Sequence, residues 1–335
     1  MLEIYSLTTI TLTFAVAFLV TFTTVPVIAR IMRRYGIIGF DVHKQSKTAI
    51  PEMCGLAILI GLVMATLVHV ILAPSAVRDA VTFIGVVLIA GAIGFIDDLR
   101  ALGPRIKPLL TALACLPIFL MRTYDPLPTI PFLGPVRLTV VYPILIPVAI
   151  AVTSNAVNMM DVMNGSMAGT VSIICIAITG VLLAAGNLTV ATLSSGLLAA
   201  LLAFYYFNRF PAKVFGGDTA SLAVGAALGV LSILGRIETI MIVALIPHIM
   251  NAFYGLASVG RLYERREIHQ RPIEVLGNGL LDASDEKDAP VTLARLILAT
   301  GPLSEKEVVR GMMLLTLVSS ALSILTYWVG TVGKI

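Results

Sequence analysis

The sequence predicts an all-α polytopic membrane protein with about ten transmembrane helices, and three observations carry that prediction. The 335 residues are 58% hydrophobic and only 13% charged, with a mean hydropathy of +0.98, far from the balance of a soluble domain. The apolar residues gather in runs close to the ~20 needed for a helix to cross a bilayer with its backbone internally bonded. The basic residues fall mostly in alternate connecting segments, as the cytoplasmic bias of Lys and Arg requires.

Taken in order, the first run, 5–32, continues into Arg30, Arg33 and Arg34 with no small-residue cleavage site, so it reads as a retained helix and not a removed leader. Runs at 54–73 and 79–96 follow; the second is uncharged from 81 to 96 and ends on Asp97 and Asp98. The run at 106–121 opens at Lys107, and the Pro-rich stretch 126–135 behind it reads as a loop. Runs at 138–157, 167–186 and 190–207 come next, the last two parted by a short turn at 186–189. Those at 219–234 and 237–257 precede a segment, 258–307, that is the one candidate for a small subdomain within an otherwise single integral domain, 1–335. Within that segment Pro272 to Leu276, followed by Gly277, Asn278 and Gly279, reads as an arm of a hairpin. Ser304 and Glu307, at capping-box spacing, announce the final run at 308–330.

With both termini outside, 18 of the 23 basic residues lie on inner segments and 5 on outer ones. A net charge of +4 and a pI near 9.0 follow from those inner loops. Such a charge favours anionic lipid heads and phosphates, and nothing points to nucleic acid. Cys54, Cys115 and Cys175 lack metal-ligand or disulfide spacing and read as small buried hydrophobes. His69 and His248 lie within runs and are expected to be satisfied packing residues, whereas His43 and His269 lie in inner loops and could meet a ligand. The acidic stretch 282–288 reads as a solvated loop.

Four polar clusters remain, and the alternation of loops puts all four on the inner side. Asp97 and Asp98, side by side at the end of an apolar run, need a cation, and Lys107 is near in sequence. Asn155, Asn158, Asp161 and Asn164 are spaced by three, so they share one face of a helix end where oxygens could converge on a hard cation such as magnesium. Phe215, Gly216, Gly217, Asp218 and Thr219 lead into a helix, either as a phosphate-binding turn or as a glycine turn with Asp218 as N-cap. His269, Gln270, Arg271 and Pro272 bring a guanidinium suited to phosphate. Together they supply carboxylates and amides for a metal and cations for phosphates, the inventory of an enzyme acting on a phosphate-rich donor.

The stretches GFDVHKQSKTAIPEMCGL, GFIDDLRALGPRIK, NAVNMMDVMNG, YYFNRFPAKVFGGDTASL and HQRP, in order over residues 39 to 272, resemble the polyprenyl-phosphate N-acetylhexosamine-1-phosphate transferases. The likeness is greater to the dolichyl-phosphate N-acetylglucosamine branch than to the bacterial peptidoglycan branch, whose consecutive histidines are missing. Val162 and Ala220 depart from the family, where glycine is common. The resemblance implies transfer of a sugar-1-phosphate from a UDP-sugar to a lipid phosphate with loss of UMP, in an integral membrane protein working on the cytoplasmic face of a cell or endoplasmic reticulum membrane. It implies Mg2+, with Mn2+ as substitute, held by Asn158 and Asp218. The catalytic group would be Asp97, Asp98, Lys107 and Asp161, with Lys107 also binding the lipid phosphate. Phe40, Asp41, Val42, Glu52, Asn155, Asn158 and Asn164 would contact the donor, and His269, Gln270 and Arg271 would clamp its diphosphate. A homodimer is among the expected assemblies. A phospho-N-acetylmuramoyl-pentapeptide transferase and a magnesium-binding transporter are the alternative readings; acidic residues at span ends and not at their centres speak against the transporter.

Overall fold

The computed structural model describes residues 2–44, 48–130, 133–262 and 270–332. Among them helices dominate: α1 (Leu2–Arg34), α2 (Leu56–Leu72), α3 (Val77–Leu99), α4 (Ile106–Leu113), α5 (Leu116–Leu120), α6 (Val141–Met160), α7 (Ser166–Ala184), α8 (Leu188–Asn208), α9 (Gly217–Gly235), α10 (Glu238–Ala244), α11 (Ile246–Val259), α12 (Leu293–Leu298) and α13 (Glu305–Val332). Seven are long and apolar enough to cross a membrane, and the α10–α11 pair, bent by 66°, makes an eighth if counted as one span. The expected apolar segments all appear near their expected positions, but length does not establish ten crossings. The segment expected at 54–73 is the 17-residue α2, and that at 106–121 is broken into α4 and α5.

Both breaks have a local cause. Pro117 and Pro247 stand in the first turns of α5 and α11, where a missing N–H ends the ladder of the helix before it. The bent pair nevertheless runs from one end of the bundle to the other. Near its start Arg236 pairs with Asp125 at 2.6 Å and the Thr239 hydroxyl donates to the Thr129 carbonyl. Near its finish Asn251 Nδ2 donates to the carbonyl of Met159, at the opposite end.

At the centre lies α9, with 89% of its apolar window buried against 28 to 72% for the other long helices. It packs between α3 and α6 by backbone approach, which glycine permits. A Cβ on Gly94 of α3 would lie 2.2 Å from the Asp218 carbonyl oxygen, and one on Gly225 of α9 would lie 2.4 Å from that of Thr153. The outermost helices instead turn large apolar side chains outward, among them Leu19 of α1 and Leu314, Leu325 and Trp328 of α13. That pattern suits a solvent of lipid, and the chain is an integral membrane protein.

The strands among the described residues form three short antiparallel pairs. β1 (Ile38–Phe40) pairs with β2 (Ala49–Pro51), β3 (Thr129–Ile130) with β4 (Gly134–Pro135), and β5 (Ile273–Val275) with β6 (Leu281–Ala283). The last is the hairpin expected around Gly277 to Gly279. The acidic stretch behind it is a loop whose residues 285–288 are exposed, as expected, and the half-buried Arg295 guanidinium holds it from beneath by donating to the carbonyls of Ser284, Glu286 and Ala289. The capping box at α13 forms as expected: Ser304 N and Oγ both donate to Glu307 Oε2, and Glu307 N donates back to Ser304 Oγ.

Candidate active site

The polar site is built where the C-termini of α3 and α6 meet the N-terminus of α9. Asp97 is buried at the end of α3, and its Oδ2 accepts from Lys107 Nζ at 2.8 Å. Lys107, in the first turn of α4, also donates to Asp218 Oδ2. Asp218 Oδ1 accepts from Asn158 Nδ2 at 2.7 Å, and that amide also reaches Ser221 Oγ at 2.8 Å. An acid, an ammonium, a second acid and a carboxamide thus form one continuous chain across three helices. Around Asp218 the donors other than Lys107 are oxygens and an amide, the set a hard divalent cation takes, so these residues fit magnesium.

Asp98 does something different from its neighbour. Its carboxylate accepts from the amides of Asp218 at 2.7 Å and Thr219 at 2.9 Å and from Thr219 Oγ1 at 2.6 Å. It therefore caps α9 from another helix, and Asp218 is not the N-cap that its position before an apolar run suggested. Gly217, with φ of +71°, makes the approach possible: a Cβ there would lie 2.5 Å from Asp98 Oδ2. Held this way, the Asp218 side chain is released toward Lys107 and Asn158.

The cluster at the end of α6 does not converge as its spacing suggested. The helix stops at Met160, and Asp161 turns out of it with φ −82° and ψ 67°. Only Asn155 and Asn158 share a helical face. Asn155 Nδ2 donates to Thr111 Oγ1 at 2.9 Å, beside the Lys107 turn. Asn164 Nδ2 donates instead to Asp41 Oδ2 at 2.9 Å, and its backbone N–H to Glu305 Oε1 at 2.8 Å.

That second group forms a wall beside the first. The β1–β2 arm is zipped to the turn before α9, with Phe215 N donating to the Pro51 carbonyl and Cys54 N to that of Phe215, both at 2.9 Å. Gly39 faces both the Phe215 ring and the Glu52 carboxylate. Phe40 is 52% exposed, Val42 is half-buried, and Asp41 is buried. Burial opposes the charge on Asp41, but Lys44 at 2.7 Å and the Asn164 amide outweigh it and hold its carboxyl below the usual range. Ala220, where glycine is common, fits because it packs on Gly55 and Gly216.

Gln270 is half-buried and Arg271 exposed, and among the described residues neither bonds to the two groups above. His269 lies outside the described residues. Sequence reasoning missed Glu305 and Ser221 as members of the site. Ser221 had a signal, one turn beyond Asp218 on the same face; Glu305, distant in sequence from Asn164, had none. His248 is satisfied on one side, bonding Thr170 through Nε2 at 3.0 Å, but among the described residues its Nδ1 and both nitrogens of His69 are buried without a hydrogen-bond partner, so His69 departs from the expectation.

A bundle of membrane-spanning helices with an ammonium, carboxylates and carboxamides gathered at one end defines a membrane-embedded enzyme scaffold of the polytopic kind. Residues 80–236 match glycosyl transferase family 4. A phospho-N-acetylmuramoyl-pentapeptide-transferase of Oceanobacillus iheyensis is 31% identical over 262 residues, 71% of this chain and 78% of its own length. A Saccharolobus solfataricus protein, provisionally named UDP-N-acetylglucosamine–dolichyl-phosphate N-acetylglucosaminephosphotransferase, is 27% identical over 76% of this chain and 84% of its own. A Bacillus subtilis protein named as a probable undecaprenyl-phosphate N-acetylglucosaminyl 1-phosphate transferase is 29% identical over 77% and 73%. The chain belongs to glycosyl transferase family 4.

Proposed function

We propose that this protein transfers N-acetylglucosamine-1-phosphate from UDP-N-acetylglucosamine to a polyprenyl phosphate of the dolichyl type at the cytoplasmic face of its membrane. An oxygen of the lipid phosphate forms a bond to the sugar-bearing phosphorus, the bond from that phosphorus to the bridging oxygen breaks, and UMP leaves. A lipid-linked diphosphate sugar remains. The observation that carries this reading is the Asp97–Lys107–Asp218–Asn158 chain, which places a buried ammonium between two carboxylates at the end of membrane-spanning helices.

Lys107 binds the lipid phosphate, and Asp97 orients it. Asp98 holds the first turn of α9 and so positions Asp218. Asn158 and Asp218 would hold Mg2+, or Mn2+ in its place, and the ion when bound would neutralise diphosphate charge. Phe40, Asp41, Val42, Glu52, Asn155 and Asn164 form the donor wall, and His269, Gln270 and Arg271 would clamp the diphosphate. A phosphate monoester has a second pKa of about 6, so the acceptor is mainly a dianion at neutral pH and needs no general base. Positioning and charge neutralisation therefore supply the rate.

Purified protein with Mg2+, a polyprenyl phosphate and UDP-N-acetylglucosamine is expected to release UMP, and Asp218→Asn to abolish release while the protein still elutes as a folded species. Absence of UMP from every member of a UDP-sugar panel would sink the proposal; release from another UDP-sugar alone would correct the donor.

A further inference from the structure

The wall of the site contains a cluster of which only Asp41 has a part in the proposed reaction. Asp41 follows β1, His43 lies two residues on, and Glu305 opens α13. One carboxylate oxygen of each acid and one ring nitrogen of His43 all lie within 4.8 Å of one another. A tetrahedral ion with bonds of about 2.1 Å needs its ligand atoms roughly 3.4 Å apart, so each pair closes by at most about 1.4 Å.

Glu305 shows that something is wanted there. The residue is 5% exposed, and its Oε1 accepts the Asn164 N–H at 2.8 Å. Its other oxygen, Oε2, is buried with no hydrogen-bond partner among the described residues. A buried carboxylate oxygen without a donor is costly, and native structures seldom leave one. Charge points the same way: Lys44 pairs with Asp41, while Glu305 forms no ion pair among the described residues. Lys44 need not be lost when an ion enters, because its Nζ already lies 4.7 Å from the Phe210 ring centre.

We propose that Asp41, His43 and Glu305 form a second cation site, distinct from Asn158 and Asp218, that takes a divalent transition-metal ion of the Zn2+ or Mn2+ class. An imidazole with two carboxylates suits such ions, whereas Mg2+ and Ca2+ prefer oxygen alone. The ion would join the β1–β2 arm to the start of α13 across the Asn164 loop. The proposal requires no turnover and stands apart from the assignment of the reaction.

The test uses full-length protein in detergent, stripped with chelator and dialysed against Zn2+ without substrate, with bound zinc measured by mass spectrometry. An Asp218→Asn background removes the other candidate site. That protein is expected to hold about one Zn2+ per chain, and His43→Ala or Glu305→Gln added to it to weaken zinc binding at least about tenfold. Gln at 305 keeps a carbonyl for the Asn164 amide, and His43 lies in a partly exposed loop, so a misfolded Glu305→Gln protein leaves His43→Ala to decide. No zinc bound by the Asp218→Asn protein, or zinc binding unaffected by His43→Ala, overturns the proposal.

Discussion

Asp97 and Asp98 are adjacent, yet the rotation of about 100° per helical residue separates their tasks. Asp97 faces Lys107, and Asp98 faces the amides that open α9. Asp98→Ala should lower stability by about 1–2 kcal/mol, as loss of a helix cap does, with UMP release falling in step. Asp98→Asn, which keeps an acceptor oxygen, should lose less of both in thermal unfolding and release assays. Lost release at an unchanged melting temperature would instead mark Asp98 as a proton acceptor. Lys107→Met leaves the buried Asp97 without its cation and facing the partly exposed Asp218, and should cost about 3–5 kcal/mol in melting experiments. Adding Asp97→Asn should recover part of that loss, since one uncompensated charge then disappears.

At the scale of elements, the seam between α3 and α9 has no room for a side chain at Gly94. Gly94→Val should therefore displace Asp218, costing about 1–3 kcal/mol from overpacking and most of the UMP release. Gly103→Ala, with nothing within 4 Å of the added carbon, serves as the neutral control in the same assays. The apolar runs were legible in the sequence because hydropathy is a local property, and the α13 capping box and the hairpin after Pro272 were legible for the same reason. The cap on α9 was not: its carboxylate comes from another helix, so an inspection of residues 215–219 could only offer Asp218. The spacing Asn155, Asn158, Asp161, Asn164 likewise predicted one face, and failed where the helix ends at Met160. What separates these cases is whether the partner group lies within a turn or a hundred residues away.

On the scale of the whole molecule, the direction of α10–α11 decides how the 258–307 insertion relates to the site. If the bent pair crosses the membrane, the β3–β4 and β5–β6 hairpins lie on opposite sides, five crossings apart; a re-entrant pair would put them on the same side. Leu133 and Asn278 are exposed at those hairpins. Leu133→Cys and Asn278→Cys should react with a membrane-impermeant maleimide from opposite faces of sealed vesicles, and the three native cysteines, all buried, should stay silent.

Backbone contact along α3, α9 and α6 also bears on how the molecule can move. Helices separated by side chains can slide by exchanging rotamers; helices touching main chain to main chain cannot, because every lateral step meets a hard atom. The lysine and the two acids therefore behave as a fixed anvil. Adjustment to substrates of different size falls to the pieces hung on that anvil by a few hydrogen bonds: the β1–β2 arm, the turn around Asn164 and the insertion tied on through Asn251. A change of sugar within the family can then be accommodated by rewriting short loops while the helical seam, and the chemistry it holds, stays as it is.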